Sequence, residues 1–542
     1  VQQAQETGDA QETGPLNVAG ASETLVHLDG GRLSGLQLSG DCTAYLGIRY
    51  GRSTAGARRW QPPQPAPNWS GVYEAVSVGP GCFQPASPPD SVYADEPRRM
   101  SEDCLFLNVW KPAQAAGAPV MVWIHGGSLR IGHSGSALYD GSALARRGVV
   151  VVSLNYRLGI FGYLAHPDLT AESAHHSSGN YGLLDQIEAL HWVRTNIERF
   201  GGDPNNVTLF GESAGGQCII ELMASPLARG LFHKVIVQSG YLMSSFELSR
   251  ASLGQRSAEE AGVALIRAIG VQDLAAARAM DPQALTAAAM TNGFYPQATI
   301  DGWILPRQMV EVFDRGEQAR VPLIAGFNAG EVRSLRFFLP PLPQSTDAYE
   351  QRIRDLYGDL AERYLRHYPG GDIEASALAA ARDAFYGWSA ERLVRAQTGL
   401  GLPAYLYFFD HEYPAAAARN LRAFHGSELP YLFGLIGSGH ALPRNWPPPP
   451  DAAPEHALSN ALMDYFTSFA RNAVPCARAQ PQWQPYAEGR AFLHLRDRPY
   501  ADTDLLPGVF ALHEEIIARR RAAGTQNWST NVGLASPVLP QA

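Results

Sequence analysis

Ser213 stands between glycines in Gly211-Glu212-Ser213-Ala214-Gly215, after a β-like run (Val207–Phe210) and before a helix-like one (Gln217–Met223). A serine on a strand–turn–helix corner with small neighbours lifts its hydroxyl clear of a sheet and toward a substrate. A free serine is a weak nucleophile at neutral pH, so acyl transfer also needs a base to take its proton. A carboxylate must then hold the imidazole of that base in the working tautomer. The pentapeptide alone is a weak signal in a glycine-rich chain, and its context decides.

That context is present, and in chain order. Glu331 closes the loop Asn328-Ala-Gly-Glu after the apolar run Val321–Gly326, and supplies the acid. The histidines beyond it are His367, His411, His425, His440, His456, His494 and His513. His425 lies in Phe424-His-Gly-Ser-Glu-Leu-Pro430, where the following glycine frees the backbone, and is the preferred base. His411, in Phe-Phe-Asp-His, lies closer to a strand and is the runner-up.

A tetrahedral intermediate needs fixed N–H donors aimed at its oxyanion. The N–H of Ala214, next after the serine, is one expected donor. The turn His125-Gly126-Gly127-Ser128 after Val120–Ile124 offers the others, because glycine lets backbone approach closely. Leu129 and Arg130 follow as candidate substrate contacts. Arg130 reads either as a solvated or ion-paired residue, or as a gorge-facing cation that favours esters bearing a free carboxylate.

The elements that must carry these groups are short β-branched runs with helical patterns between them. The strand candidates are 120–124, 149–154, 207–210, 235–238, 321–326 and 404–409; runs apolar on both faces suit parallel strands covered on each side. Ligands of such sheets bind beyond the carboxyl ends of the strands, and the groups named above sit there. The clearest helix spans 181–200, with Asn180 as expected N-cap and Gly201-Gly202 as its stop. Helical additions are expected over about 251–290, broken at Gly270 and Pro282, and about 345–396. A proline-rich stretch near 443–454 reads as loop. The expected fold is α/β, with a large mostly parallel central sheet, helices on both faces and helical lobes around a gorge. One domain is expected over 22–530, the span over which the chain resembles a known family, with a disordered arm at 1–21 and a tail at 531–542.

The 542 residues carry a formal charge of −9 without a basic block, which argues against nucleic acid as a partner. No apolar run approaches the ~18 residues of a membrane span. Lysine occurs twice, at 111 and 234, a coding bias that points to a bacterial source. The cysteines are Cys42, Cys82, Cys104, Cys218 and Cys476, an odd number without C-x-x-C or H-E-x-x-H spacing, so no metal site is expected. No cofactor is expected. Asn68, Asn206 and Asn527 open glycosylation-like triplets of a kind that chance often produces.

Longer segments then resemble the type-B carboxylesterase/lipase family, the α/β-hydrolase group that includes cholinesterases and bacterial p-nitrobenzyl esterases. They are Ser101-Glu-Asp-Cys-Leu-Phe-Leu-Asn108, Trp123-Ile-His-Gly-Gly127, Asn155-Tyr-Arg-Leu-Gly159 and Gly179-Asn-Tyr-Gly-Leu-Leu-Asp-Gln186. Phe200-Gly-Gly-Asp-Pro-Asn205, Gly211-Glu-Ser-Ala-Gly-Gly216, Asn328-Ala-Gly-Glu331 and His425-Gly-Ser-Glu428 follow in family order.

The resemblance implies a serine carboxylesterase working through an acyl-enzyme. Ser213 would be its nucleophile, Glu331 its acid, His425 its base, and Gly127, Ser128 and Ala214 its oxyanion donors. It also implies a Cys82–Cys104 disulfide, suited to a secreted or periplasmic protein whose leader has been removed. Two departures stand out: Ser128 replaces a usual glycine, and Val332 follows the acid where glycine is common. Phe83–Asp103 lacks the tryptophan that would hold a choline head group. Amide or carbamate hydrolysis on the same triad is the alternative, and a non-catalytic binding protein is a remote one. The resemblance leaves the natural ester open.

Overall fold

The computed structural model describes residues 24–39, 41–530 and 533–541. The arm expected at 1–21 lies outside them. Among the described residues eleven strands form one sheet. In chain order they are β1 (Leu36–Leu38), β2 (Cys42–Arg49), β3 (Phe106–Pro112), β4 (Ala118–Ile124), β5 (Val150–Leu154), β6 (Gly202–Glu212), β7 (Lys234–Gln238), β8 (Leu323–Asn328), β9 (Ala404–Phe409), β10 (Ala491–Leu495) and β11 (Pro499–Thr503). Across the sheet they run β1-β2-β3-β5-β4-β6-β7-β8-β9-β10-β11. The seven strands from β5 to β10 pair in parallel. Antiparallel strands close both edges.

Strand β4 shows why the parallel centre is apolar throughout. Side chains alternate between faces, so Val120, Val122 and Ile124 enter one core with α1 (Tyr181–Asn196) and α2 (Ala214–Ala224). Met121 and Trp123 enter the opposite core with Phe466 and Phe469 of a later helix, Ala453–Asn472. Each face is sealed by helices, and neither tolerates a charge.

Expectation and structure differ mainly at the edges. The nucleophile strand is longer than the apolar run Val207–Phe210, extending over β6. Strand β3 reads poorly in sequence because Asn108 interrupts it; that amide donates to Ser134 O (3.1 Å) and Ser153 Oγ (3.0 Å), and its oxygen accepts from Gly47 N (2.8 Å). Asn180 occupies the N-cap position of α1 but makes no capping bond. Its amide instead donates to Thr299 O (2.7 Å) and accepts from Thr299 N (2.9 Å), tying a distant segment down. The proline-rich loop ends at Ala452, and Pro454 opens the helix Ala453–Asn472, where its missing N–H costs nothing.

The first helical addition comprises α3 (Ala258–Ile269), α4 (Leu274–Ala279) and α5 (Pro282–Thr291), interrupted at Gly270 and Pro282 as expected. The second comprises α6 (Thr346–Tyr357), α7 (Ala361–His367), α8 (Ile373–Arg382), a π-helical turn at Asp383–Gly387, and α9 (Trp388–Gly399). Residues 533–541 dock on α6: Tyr357 Oη donates to Gly533 O (2.9 Å) and Leu539 N to Leu356 O (2.7 Å). Among the described residues, no helix is long and apolar enough to cross a membrane.

Candidate active site

The corner after β6 is built by close approach. Ser213 adopts φ 57°, ψ −124°, a rarely populated conformation for a non-glycine residue, and its N–H donates to Gln238 O (2.9 Å) of β7. Such strain persists only where packing over-determines it. Here a Cβ on Gly215 would stand 2.0 Å from Ile124 O, and one on Gly211 would stand 2.7 Å from the same oxygen. The glycines flanking the serine let helix α2 start hard against the end of β4.

The β4 end carries the turn that covers the serine. A Cβ on Gly126 would lie 3.0 Å from Ser213 Cβ, which places this turn directly against the nucleophile candidate. Gly127 (φ 107°), Ser128 (φ 56°) and Leu129 (φ 58°) are all left-handed, and Gly127 O accepts from Arg130 N and Ile131 N at 3.0 Å each. His125 anchors the turn: its ring stacks on Tyr156 with centroids 4.6 Å apart, and its Nδ1 lies 2.8 Å from Gly126 O. Burial pushes its pKa down to about 4, so it stays neutral.

Beyond β8 and β9 the acid and base meet. His425 Nδ1 is hydrogen-bonded to Glu331 Oε2. Glu331 Oε1 accepts from Ser239 Oγ (2.6 Å) and Asn328 N (2.8 Å), so this fully buried carboxylate is fixed on both oxygens. Val332, next after the acid, packs in a small cluster with Leu378 and Ala381.

On the other side of the ring, His425 Nε2 lies 3.0 Å from Glu212 Oε1. The His425–Ser213 hydrogen bond is not made in this conformation, and free enzymes often show looser catalytic contacts than their complexes. A third carboxylate, Glu428, accepts from Gln238 Nε2 (3.0 Å) and Asn328 Nδ2 (2.6 Å). Burial opposes charge on His425, but Glu212 and then Glu331 outweigh it and raise the imidazole to about 9. Burial lifts Glu212 to about 8 and Glu428 to about 7, against the pull of His425. Tyr93 Oη donates to His425 O (2.8 Å), and the Tyr386 ring, from the π-helical turn, lies 5.2 Å from the imidazole.

Sequence reasoning gave no role to Ser239, Tyr93 and Tyr386, and saw Asn328 and Glu428 only as parts of motifs. Ser239 was findable, since it follows β7 and the strand-end rule applies to it as to Ser213. Tyr93 and Tyr386 approach through tertiary packing, which no local pattern announces.

Other expectations fall differently. Both nitrogens of His411 are engaged elsewhere, by Asp497 Oδ1 (3.0 Å) and Glu455 Oε2 (2.8 Å), and it is not part of this site. Leu129 is buried and packs in the main core. Arg130 lies beside Met290 and Tyr295. Cys82 and Cys104 are buried in mutual contact yet remain separate thiols, as do the other cysteines. The expected bridge is therefore not formed here; closing it removes two protons and two electrons, which folding alone does not do. Among the described residues, no cluster of histidine, cysteine and acidic side chains could hold a metal ion.

Comparison with known proteins shows the family of the chain. Residues 22–506 match the model of the "Carboxylesterase family". The chain is 35% identical over 472 residues to a fumonisin B1 esterase from Sphingopyxis macrogoltabida, covering 84% of this chain and 83% of that one. It is 34% identical over 454 residues to a para-nitrobenzyl esterase from Bacillus subtilis (strain 168), covering 82% and 89%. A solved PNB esterase structure superposes with a TM-score of 0.78 at 31% identity, covering 90% of this chain and 99% of the other.

Proposed function

We propose, from the premise that this chain belongs to the carboxylesterase family and hydrolyses carboxylic esters, that Ser213, His425 and Glu331 form its catalytic triad. The observation that carries this reading is the strained Ser213 corner seated under the Gly126–Ser128 turn, with the His425–Glu331 pair against Glu212, the residue before the serine. His425 Nε2 moves from Glu212 to Ser213 Oγ as substrate enters, takes the hydroxyl proton, and Oγ attacks the ester carbonyl. Glu331 fixes Nδ1 as the protonated nitrogen and steadies the imidazolium.

The N–H groups of Gly127, Ser128 and Ala214, with the backbone of Gly126 shaping the turn, receive the oxyanion. Each such donor is worth about 3 kcal/mol in the transition state. His425 then returns the proton to the departing alcohol, and water repeats the sequence on the acyl-enzyme. No metal or cofactor enters these steps. The likeness to a fumonisin B1 esterase and to a para-nitrobenzyl esterase supports acceptance of bulky esters.

Replacing Ser213 by Ala tests the assignment. The variant should stay folded and lose esterase activity by at least about a thousandfold, because the remaining groups form no acyl-enzyme. In the unaltered enzyme a stoichiometric organophosphate adduct should map to Ser213; labelling of another serine would overturn the triad.

A further inference from the structure

Arg130 is a cation without a counter-charge, two residues beyond the turn assigned to the oxyanion. Its Nε is buried and makes no hydrogen bond. Its Nη2 lies 3.2 Å from Met290 Sδ, a weak acceptor, and its guanidinium stands 6.0 Å from the centroid of the Tyr295 ring. No carboxylate among the described residues pairs with it. The surrounding hollow is apolar, lined by Phe83, Pro85, Phe161, Met290 and Phe294.

Nearby arginines are treated differently. Arg59, whose guanidinium lies over the same Phe161, is held by both oxygens of Glu102 (2.6 and 2.7 Å). Arg157 is held by both oxygens of Asp185 (2.8 and 2.7 Å). Arg130 is half-buried and its buried Nε has no partner, whereas a guanidinium that meets a carboxylate forms a bidentate, charge-assisted pair. Arg130 is therefore the exception in its own neighbourhood, and what it lacks is a carboxylate.

The turn dictates where the cation goes. Leu129, left-handed, sends its side chain into the core, and Arg130 emerges on the other side, toward the helical addition at α5. The Tyr295 hydroxyl lies close enough to Ser128 to feel its side chain, so the ring beside Arg130 stands next to the oxyanion turn. Arg130 and Ser128 have Cα atoms at most about 7 Å apart. An ester carbonyl at the turn and a carboxylate at Arg130 fit within one small molecule.

We propose that Arg130 selects substrates whose acyl part carries a second, free carboxylate: dicarboxylic or polycarboxylic acids esterified at one carboxyl. This rests on the triad reading above. Glu331, paired with His425, keeps a negative charge in the site, and Arg130 is the cation beside the turn that can hold an anionic acyl group.

The test is a matched pair of aryl esters, a succinate or glutarate half-ester and a neutral ester of the same chain length, assayed on wild type, Arg130→Gln and Arg130→Lys. Arg130→Gln should lower kcat/KM for the half-ester by about ten- to a hundredfold, the range of a hydrogen bond to a charged group, and change the neutral ester less than about twofold. Arg130→Lys should recover part of the loss, and free glutarate should inhibit wild type competitively but not Arg130→Gln.

Equal losses on both esters, or none on either, would overturn the proposal. Organophosphate labelling of the same three proteins separates the two readings. Ser213 labelled in all three with unchanged selectivity refutes Arg130 alone, whereas a label elsewhere refutes the triad.

Discussion

Replacing Glu212 by Gln should move the pH dependence of catalysis to lower pH. Glu212 Oε1 stands 3.0 Å from His425 Nε2, and it is the strongest influence holding that imidazole at about 9 against burial. Unit charges 3.0 Å apart attract by about 5.5 kcal/mol at an effective dielectric constant of ~20. That figure is an upper bound, because Glu212 itself is lifted to about 8 and is only partly ionised near neutrality. A quarter to a half of it, about 1.4 to 2.7 kcal/mol, corresponds to one to two pH units.

The sign follows from which form works. His425 accepts a proton only when neutral, so the acid limb of kcat/KM reports loss of the imidazolium proton in the free enzyme. Removing a carboxylate that favours the imidazolium lowers that limb from near 9 to between about 7 and 8. The alkaline plateau should fall at the same time, because the imidazolium formed in the transition state loses a neighbouring negative charge. The assay is kcat/KM from about pH 6 to 10 on a neutral ester. A limb that stays put or moves upward would refute the electrostatic account, since Glu331, Glu428 and Tyr93 keep their places in the variant.

Two further outcomes test the frame of the site. Gly215→Ala places a Cβ 2.0 Å from Ile124 O, a backbone atom that cannot turn aside, so it should cost about 1–3 kcal/mol of stability and at least about tenfold in kcat/KM. Gly399→Ala, at the end of α9 with nothing within 4 Å, should be neutral in both measurements. Cys82 and Cys104 should appear as one disulfide-linked peptide pair when the protein is recovered from an oxidising compartment, and as two alkylated thiols from a reducing one. Free thiols in protein recovered from an oxidising compartment would remove the bridge.

The sheet centre was legible because burial on both faces leaves a plain record: β4, β5, β7 and β9 are almost unbroken runs of apolar residues. The triad candidates were legible because each follows such a run. The edges were not, since β3 spends a buried position on Asn108, whose three partners come from remote segments. The surroundings of the imidazole were the hardest to read. Glu212, Glu428 and Tyr93 act on His425 through distances that only the assembled sheet creates, and neither their contacts nor the resulting rise to about 9 leaves a periodic trace. The paired cysteines show the converse: sequence resemblance proposed a covalent bond, and the fold supplies proximity without the oxidation.

Strand order in the large sheet follows chain order except for the exchange of β4 and β5. A polypeptide made from its N-terminus can therefore lay down this sheet almost in the order of its synthesis, each strand from β6 onward pairing with one that has already left the ribosome. Roughly 210 residues separate Ser213 from His425, about 10 to 40 s of elongation at ordinary rates. Throughout that interval the nascent chain owns the proposed nucleophile but not the proposed base. It also presents a fresh, unpaired apolar edge at β7, then β8, then β9, the kind of surface that pairs with other chains. The proposed base is thus made after the strands that carry the proposed nucleophile and acid, and only strands β10 and β11, at one edge of the sheet, follow it.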